Sequence, residues 1–264
     1  MNVSLPFVPA RSSKPRQKGI TMMMDKGLSI REAEDFIESS GEFTDLVKFG
    51  FGTSTITNKL SEKVKLYKEA GIKPYFGGTL FEAFIVRNKF DDFLNFIDKY
   101  KLETVEVSDG SIVIEHELKV EYITKLAKNF TVLSEVGSKQ KGVVIPPDVW
   151  IGCMKTELEA GSWKVIAEAR ESGTVGIFHS NGSANEELIM DIAAHVPSEK
   201  ILWEAPTGKQ QVYFINHYGF DVNLGNIATH DVIPLECLRL GLRGDTFFNF
   251  LPDELKKLKP KSCQ

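Results

Sequence analysis

Six charged side chains interrupt short apolar runs in this chain: Lys48, Glu106, Glu135, Glu168, Arg170 and Glu204. A carboxylate buried among Val and Ile without a partner costs several kcal/mol or takes up a proton. The acids therefore call for a cation, a metal ion, or the basic groups Lys48 and Arg170 of the same set. An all-oxygen cluster favours Mg²⁺ over Zn²⁺. No histidine competes, because His116, His179, His195, His217 and His230 show no H-x-x-x-H spacing. Glu135 and Glu168 are the first choices as metal ligands, with Glu106, Asp109 and Glu204 as further candidates. Strand alternation puts Asp109 on the opposite face from Glu106, although the end of a strand can turn it into the same mouth.

Anion binding is the second chemistry on offer. Lys48 and Arg170 are candidate substrate-binding cations. The segment NLGNI (223–227) adds Asn223, Gly225 and Asn226, a close backbone approach with amide donors, and Arg243 in LRGDTF (242–247) could reach the same mouth. GFGT (50–53) lacks the third glycine of a dinucleotide fingerprint. The RGD tripeptide at 243–245 is coincidental with respect to adhesion. No G-x-S-x-G elbow occurs, which sets a serine hydrolase aside. A Schiff-base lysine needs a lowered pKa. Lys48 faces carboxylates that hold it charged, and Lys164 starts its strand at the wrong end.

These residues need elements to place them. Strands are expected at 19–25, 46–50, 73–78, 104–109, 131–137, 164–170, 201–206 and 221–227. Helical spacing lies between them, as in Ile30, Ala33, Phe36 and Ile37, opened by a capping box of Ser29 and Glu32. Phe90, Phe93, Leu94 and Ile97 mark another, as do Ile123, Leu126 and Ala127, and Leu188, Ile189 and Ile192. Eight strand–helix repeats in 264 residues predict an α/β chain folded as a single-domain (β/α)8 TIM barrel. An open doubly wound sheet would carry a Gly-rich turn after its first strand, and only Asp25-Lys26-Gly27 stands there. The barrel is expected over 19–247, with an N-terminal arm (1–18) and a C-terminal tail (248–264) as short solvated ends. The six charges then come from five strands and gather at the C-terminal ends, where barrels hold their active sites.

Composition narrows the class further. With 42% hydrophobic and 26% charged residues, the chain can bury a full core and is neither disordered nor fibrous. A net charge of −4 opposes general nucleic-acid binding. No apolar run approaches the ~18 residues of a membrane span, and the N-terminus has no signal-peptide core. Cys153, Cys237 and Cys263 are widely spaced, so no disulfide framework or cysteine zinc site is expected. A reducing, cytoplasmic setting fits.

The blocks KPRQKGITMMMDKG, VKFGFGTS, GGTLFEA, VEVSDGS, SEVGSK, EARESG, EAP…QQ, VNLGNI and GLRGDTF, in this order, resemble the phosphosulfolactate synthase family from about Lys14 to Phe247. The resemblance implies a Mg²⁺-dependent barrel that adds sulfite to phosphoenolpyruvate, giving (2R)-O-phospho-3-sulfolactate. That product feeds coenzyme M in methanogens and other sulfonates in bacteria, and members are homo-oligomeric. Three departures stand out. Ser138 and Lys139 follow EVG where archaeal members commonly have two lysines, Lys209 is displaced from the EAPxK position, and His179 replaces an acid of many relatives. Within this reading Lys139, freed by Gly137 behind it, is the expected proton donor to the substrate. Lys48 is its substitute, and Arg170 completes the catalytic set. Some plant relatives with this barrel are linked to heat-stress tolerance, so a non-catalytic binding or stress-protective scaffold is the alternative.

Overall fold

The computed structural model describes residues 2–140 and 142–260. The apolar runs form eight strands: β1 (Thr21–Asp25), β2 (Leu46–Phe49), β3 (Lys73–Phe76), β4 (Thr104–Val107), β5 (Thr131–Val136), β6 (Ser162–Ala167), β7 (Ile201–Glu204) and β8 (Leu224–Ile227). All pair in parallel, in the order β3-β2-β1-β8-β7-β6-β5-β4, and β4 packs back beside β3. The sheet thus wraps into a single-domain (β/α)8 TIM barrel. Its strands read as near-continuous apolar runs because both faces are covered.

Helices α1 (Ile30–Ser40) and α2 (Leu60–Glu69) follow β1 and β2. The capping box holds: Ser29 Oγ accepts from the Glu32 amide at 3.2 Å, and the Ser29 amide donates to Glu32 Oε2 at 2.7 Å. Between β3 and β4 two helices stand where one was expected, α3 (Gly78–Ile85) and α4 (Phe90–Lys99). In α3, GTLFEAFI, apolar residues are spread around much of the helix and leave no stripe of helical period to read. The ring continues with α5 (His116–Leu126), α6 (Pro147–Glu159), α7 (Glu186–His195), α8 (Gly208–Tyr218) and α9 (Val232–Arg239), and a short α10 (Asp253–Lys256) follows. Among the described residues no helix is long and apolar enough to cross a membrane.

Two apolar layers result. Outward side chains such as Val47, Phe49, Val105, Val165 and Trp203 pack against the helices. Inside the barrel, Ile20, Met22, Leu46, Tyr75, Leu133, Ile166 and Leu202 form a smaller plug. At β8 the register slips between Thr21↔Leu224 and Met23↔Ile227, a bulge in which Asn226 takes φ 57°.

The N-terminal arm is not solvated along its length. Arg16 is buried and donates to Asp45 Oδ1 at 3.1 Å, and Arg11 donates to Glu236 at 2.9 Å and Asp221 at 3.2 Å. Its basic residues also donate to barrel-side carbonyls, Lys14 to Gly41 O at 2.9 Å and Arg16 to Glu42 O at 3.2 Å, and the arm's own Gln17 O receives Lys164 Nζ of β6 at 2.8 Å. Cys263, at the end of the C-terminal tail, lies outside the described residues.

Replacing Arg16 with Ala leaves Asp45 buried without its cation. Losing one partner of a buried pair costs about 3 kcal/mol, which a urea unfolding midpoint would register. An unchanged midpoint would mean that the arm does not hold the barrel floor.

Candidate active site

Three strands carry the same two-residue step. Leu133, Ile166 and Leu202 belong to the inner plug, and Glu135, Glu168 and Glu204 follow each of them by two. Because alternate residues share a face, each apolar plug residue carries a carboxylate directly above it toward the strand's C-terminal end. Leu46 and Lys48 repeat the step on β2 with a cation. The plug is the floor of the site and the charges are its walls.

Lys48 Nζ lies 2.9 Å from Glu106 Oε1, 3.3 Å from Glu135 Oε2 and 3.4 Å from Glu204 Oε1. Lys139, on the loop after β5, brings its Nζ 2.5 Å from Glu135 Oε1, 3.4 Å from Glu82 Oε1 and 4.0 Å from Glu168 Oε2. Backbone amides add support, Gly78 to Glu106 and Ala169 to Glu204 Oε2 at 2.9 Å. Gly78 has to be glycine, since a Cβ there would sit 2.3 Å from Ser108 Cβ and 2.7 Å from Glu106 Oε1.

Among the described residues, five buried carboxylates thus share two ammonium groups, and oxygens of Glu82, Glu106 and Glu168 receive no donor. The pKa directions follow from that imbalance. Burial, with the charges of Glu135 and Glu204, pushes Glu168 well above the carboxylate range. Burial also raises Glu106 against the pull of Lys48, and lifts Glu204 to about 7. Glu135 goes the other way: burial would raise it, but Lys139 and Lys48 together hold it below the ordinary range. Burial would discharge both lysines, yet the acids around Lys48 and around Lys139 keep each protonated beyond the usual ammonium range.

Glu135, Glu168 and Glu204 each offer an oxygen, all within 4.8 Å of one another, and no histidine joins them among the described residues. This is the donor set of a hard divalent cation such as Mg²⁺, which takes carboxylate oxygens and completes its shell with water or substrate. Above it opens a cavity of about 350 Å³, with Lys48, Lys139, Arg170 and Asn226 on its walls. Arg170 is exposed, and Asn226 is turned toward the cavity by the β8 bulge, its Nδ2 held by Ala169 O at 2.9 Å.

Other candidates lie elsewhere. Glu106 faces the cluster but is tied to Lys48 and Gly78 outside the cation triad. Asp109 pairs with Lys119 at 2.8 Å, away from the triad. Asn223 accepts from the Ile20 amide at 3.1 Å and donates to Ile201 O at 2.9 Å, which puts it at the opposite end of the barrel from the cavity. Gly225 makes room for Met22, whose Cε would meet a Cβ there at 2.7 Å. Arg243 is paired with Asp245 at 3.2 Å beside the start of α8, off the cavity wall. Lys209 is exposed in the first turn of α8. Sequence reasoning missed Glu82 and Ser108. The available signal for Glu82 was a lone charge in an otherwise uncharged helix, GTLFEAFI.

The (2R)-phospho-3-sulfolactate synthase (ComA) family model matches residues 9–245. Phosphosulfolactate synthase of Methanocaldococcus jannaschii is 44% identical over 237 residues, covering 88% of this chain and 94% of that protein. The Bacillus subtilis protein of the same name is 40% identical over 244 residues, covering 91% and 97%. Among solved structures, 3-hexulose-6-phosphate synthase from Salmonella typhimurium aligns with a TM-score of 0.55 at 13% identity, covering 85% of this chain and 100% of that one. This last likeness concerns the fold alone.

Glu204 gives the cation-free protein a pH dependence of defined sign. Its carboxyl titrates at about 7 in the folded state, above its unfolded value, so its contribution to stability is present at acid pH and lost as pH rises through about 7. Melting temperature measured without divalent cations should fall between about pH 4.5 and about pH 7 and level off above that, and Glu204→Gln should flatten that slope. An equal slope in the variant would assign the dependence to other groups.

Proposed function

This chain belongs to the phosphosulfolactate synthase family and is an enzyme of the carbon–sulfur lyase and synthase class; from that premise we propose that its cavity adds sulfite to phosphoenolpyruvate with the help of Mg²⁺. The product of this reading is (2R)-O-phospho-3-sulfolactate. The observation that carries it is the meeting of Lys48 and Lys139 with the Glu135–Glu168–Glu204 triad in one barrel mouth. The same reading makes the protein a cytoplasmic homo-oligomer acting on small anions.

In this mechanism the sulfur lone pair of sulfite attacks C3 of phosphoenolpyruvate, forming the carbon–sulfur bond. The π electrons of the double bond move toward the carboxylate, leaving an enediolate that takes one proton at C2. The triad residues Glu135, Glu168 and Glu204 would hold Mg²⁺, which when bound supplies positive charge to the carboxylate end of the substrate, where negative charge builds up. Lys48, anchored between three acids, contributes a second fixed positive charge at the floor. Arg170, on the exposed rim, and Asn226 line the cavity and would meet the phosphate in this reading. Lys139 stays protonated among its carboxylates and delivers the proton to one face of C2. The strong basicity of an enediolate carbon makes an ammonium an adequate donor. Ser138, standing where archaeal members commonly have a lysine, is the feature that favours a scaffold, and the buried acids, for which a scaffold has no evident need, weigh against it.

Purified protein should consume phosphoenolpyruvate only when sulfite and Mg²⁺ are both present. Folded protein supplied with both and silent across neutral to mildly alkaline pH would overturn the assignment. Lys139→Ala should lower kcat by ~10²–10⁴-fold with little change in KM for phosphoenolpyruvate. A raised KM for sulfite with kcat preserved would instead make Lys139 a sulfite-binding group.

A further inference from the structure

Lys139 has a long, four-carbon side chain and sits among several acids, so charge alone does not fix where its nitrogen points. Glu135 Oε1 receives it at 2.5 Å from below, but the groups that decide its lean are lateral. On the β4 side, Ser108 Oγ is 3.0 Å away and Glu82 Oε1 3.4 Å. On the β6 side, Glu168 Oε2 stands 4.0 Å away. The β4 side has the closer contacts and is itself rigid. Ser108 is fully buried, lies two residues beyond Glu106 at the end of β4, and its hydroxyl bonds Glu82 and approaches Glu135 Oε1 at 3.0 Å. The first residue of α3, Gly78, presses on Ser108 so closely that even a methyl group there would meet Ser108 Cβ at 2.3 Å. Glu82 comes from the buried face of the same helix. One helix therefore supplies both the acid and the wall that keeps the serine in place.

We propose that Glu82 and Ser108 are positioning residues that lean Lys139 toward β4 and so determine which face of the substrate carbon receives its proton. This deepens the proposed function and rests on Lys139 as the proton donor. Without the hydroxyl, the nearer of the two β4 contacts is gone and Glu82 loses the serine that holds it, so the ammonium, still paired with Glu135, is held less firmly toward β4 and tilts toward Glu168. From there it would approach C2 along a different line. Turnover slows and control over the new stereocentre loosens, while the contacts that bind phosphoenolpyruvate remain.

The test compares Ser108→Ala, Glu82→Gln and Glu82→Ala with the unaltered enzyme, reading kcat, KM for each substrate and the stereochemistry of the product at C2. Ser108→Ala should lower kcat roughly tenfold or more, leave KM for phosphoenolpyruvate within about twofold, and release a measurable share of the opposite stereoisomer. Glu82→Gln, which keeps an acceptor oxygen and the side-chain volume, should retain more activity and stereocontrol than Glu82→Ala. A purely structural loss lowers the active fraction and moves neither KM nor stereochemistry. Unchanged kcat and a single stereoisomer in both Ser108→Ala and Glu82→Gln, in an enzyme that Lys139→Ala inactivates, would overturn the inference alone. Full activity in Lys139→Ala would overturn the donor assignment and this inference with it.

Discussion

The Lys48 ammonium is the contact on which the site depends. It rises from β2 and meets acids of β4, β5 and β7 inside a barrel floored with apolar side chains. Burial pushes each of those acids up and Lys48 pulls each back down, while Glu168, which no lysine among the described residues reaches as closely, stands well above the carboxylate range. A single ammonium thus keeps strands from opposite sides of the barrel electrostatically bound to a common point. Lys139 performs the same service at the next level up, and the two cations together decide which carboxylates stay charged.

The supporting structure follows from that requirement. Charges so deep need an interior that is closed to water beneath them, and the plug of Leu, Ile, Met and Tyr side chains provides it. They also need backbone donors where side chains cannot fit. Gly78 supplies one by bringing the start of α3 against β4, and Ala169 another at the end of β6. Glycine is required at Gly78 by space rather than by backbone angle, because the helix must touch Ser108 and Glu106 directly.

Much of this was legible in the sequence because a parallel barrel strand has an unambiguous signature. It is short, apolar throughout and ended by a turn, so a charge within it stands out, and Lys48, Glu106, Glu135, Glu168 and Glu204 all proved to face one interior. Asn223, Gly225 and Arg243 were harder. Strand ends cannot be set to within a residue or two from pattern alone, and that margin decides whether an asparagine faces the floor or the mouth. Asn226 faces the mouth because a bulge breaks the alternation, which no periodicity could report. Glu82 was hidden for another reason: it reaches the site from a helix, where alternation does not apply, and through a serine that offers no charge to notice.

The arm beneath the barrel has a consequence for how the chain is made. Arg11 is held by Asp221 and Glu236, which lie 210 and 225 residues further along. The first strand likewise pairs with the last. During synthesis Arg16 meets Asp45 early, whereas Arg11 emerges long before its partners exist, and its contacts wait until nearly the whole polypeptide has left the ribosome. Contacts of such wide sequence separation form late and slowly. Until then β1 offers an unpaired edge of apolar residues, the kind of surface through which nascent chains associate wrongly. The basic character of the arm, with Arg11, Lys14, Arg16 and Lys18 directly preceding that edge, gives the waiting segment like charges that keep neighbouring chains apart.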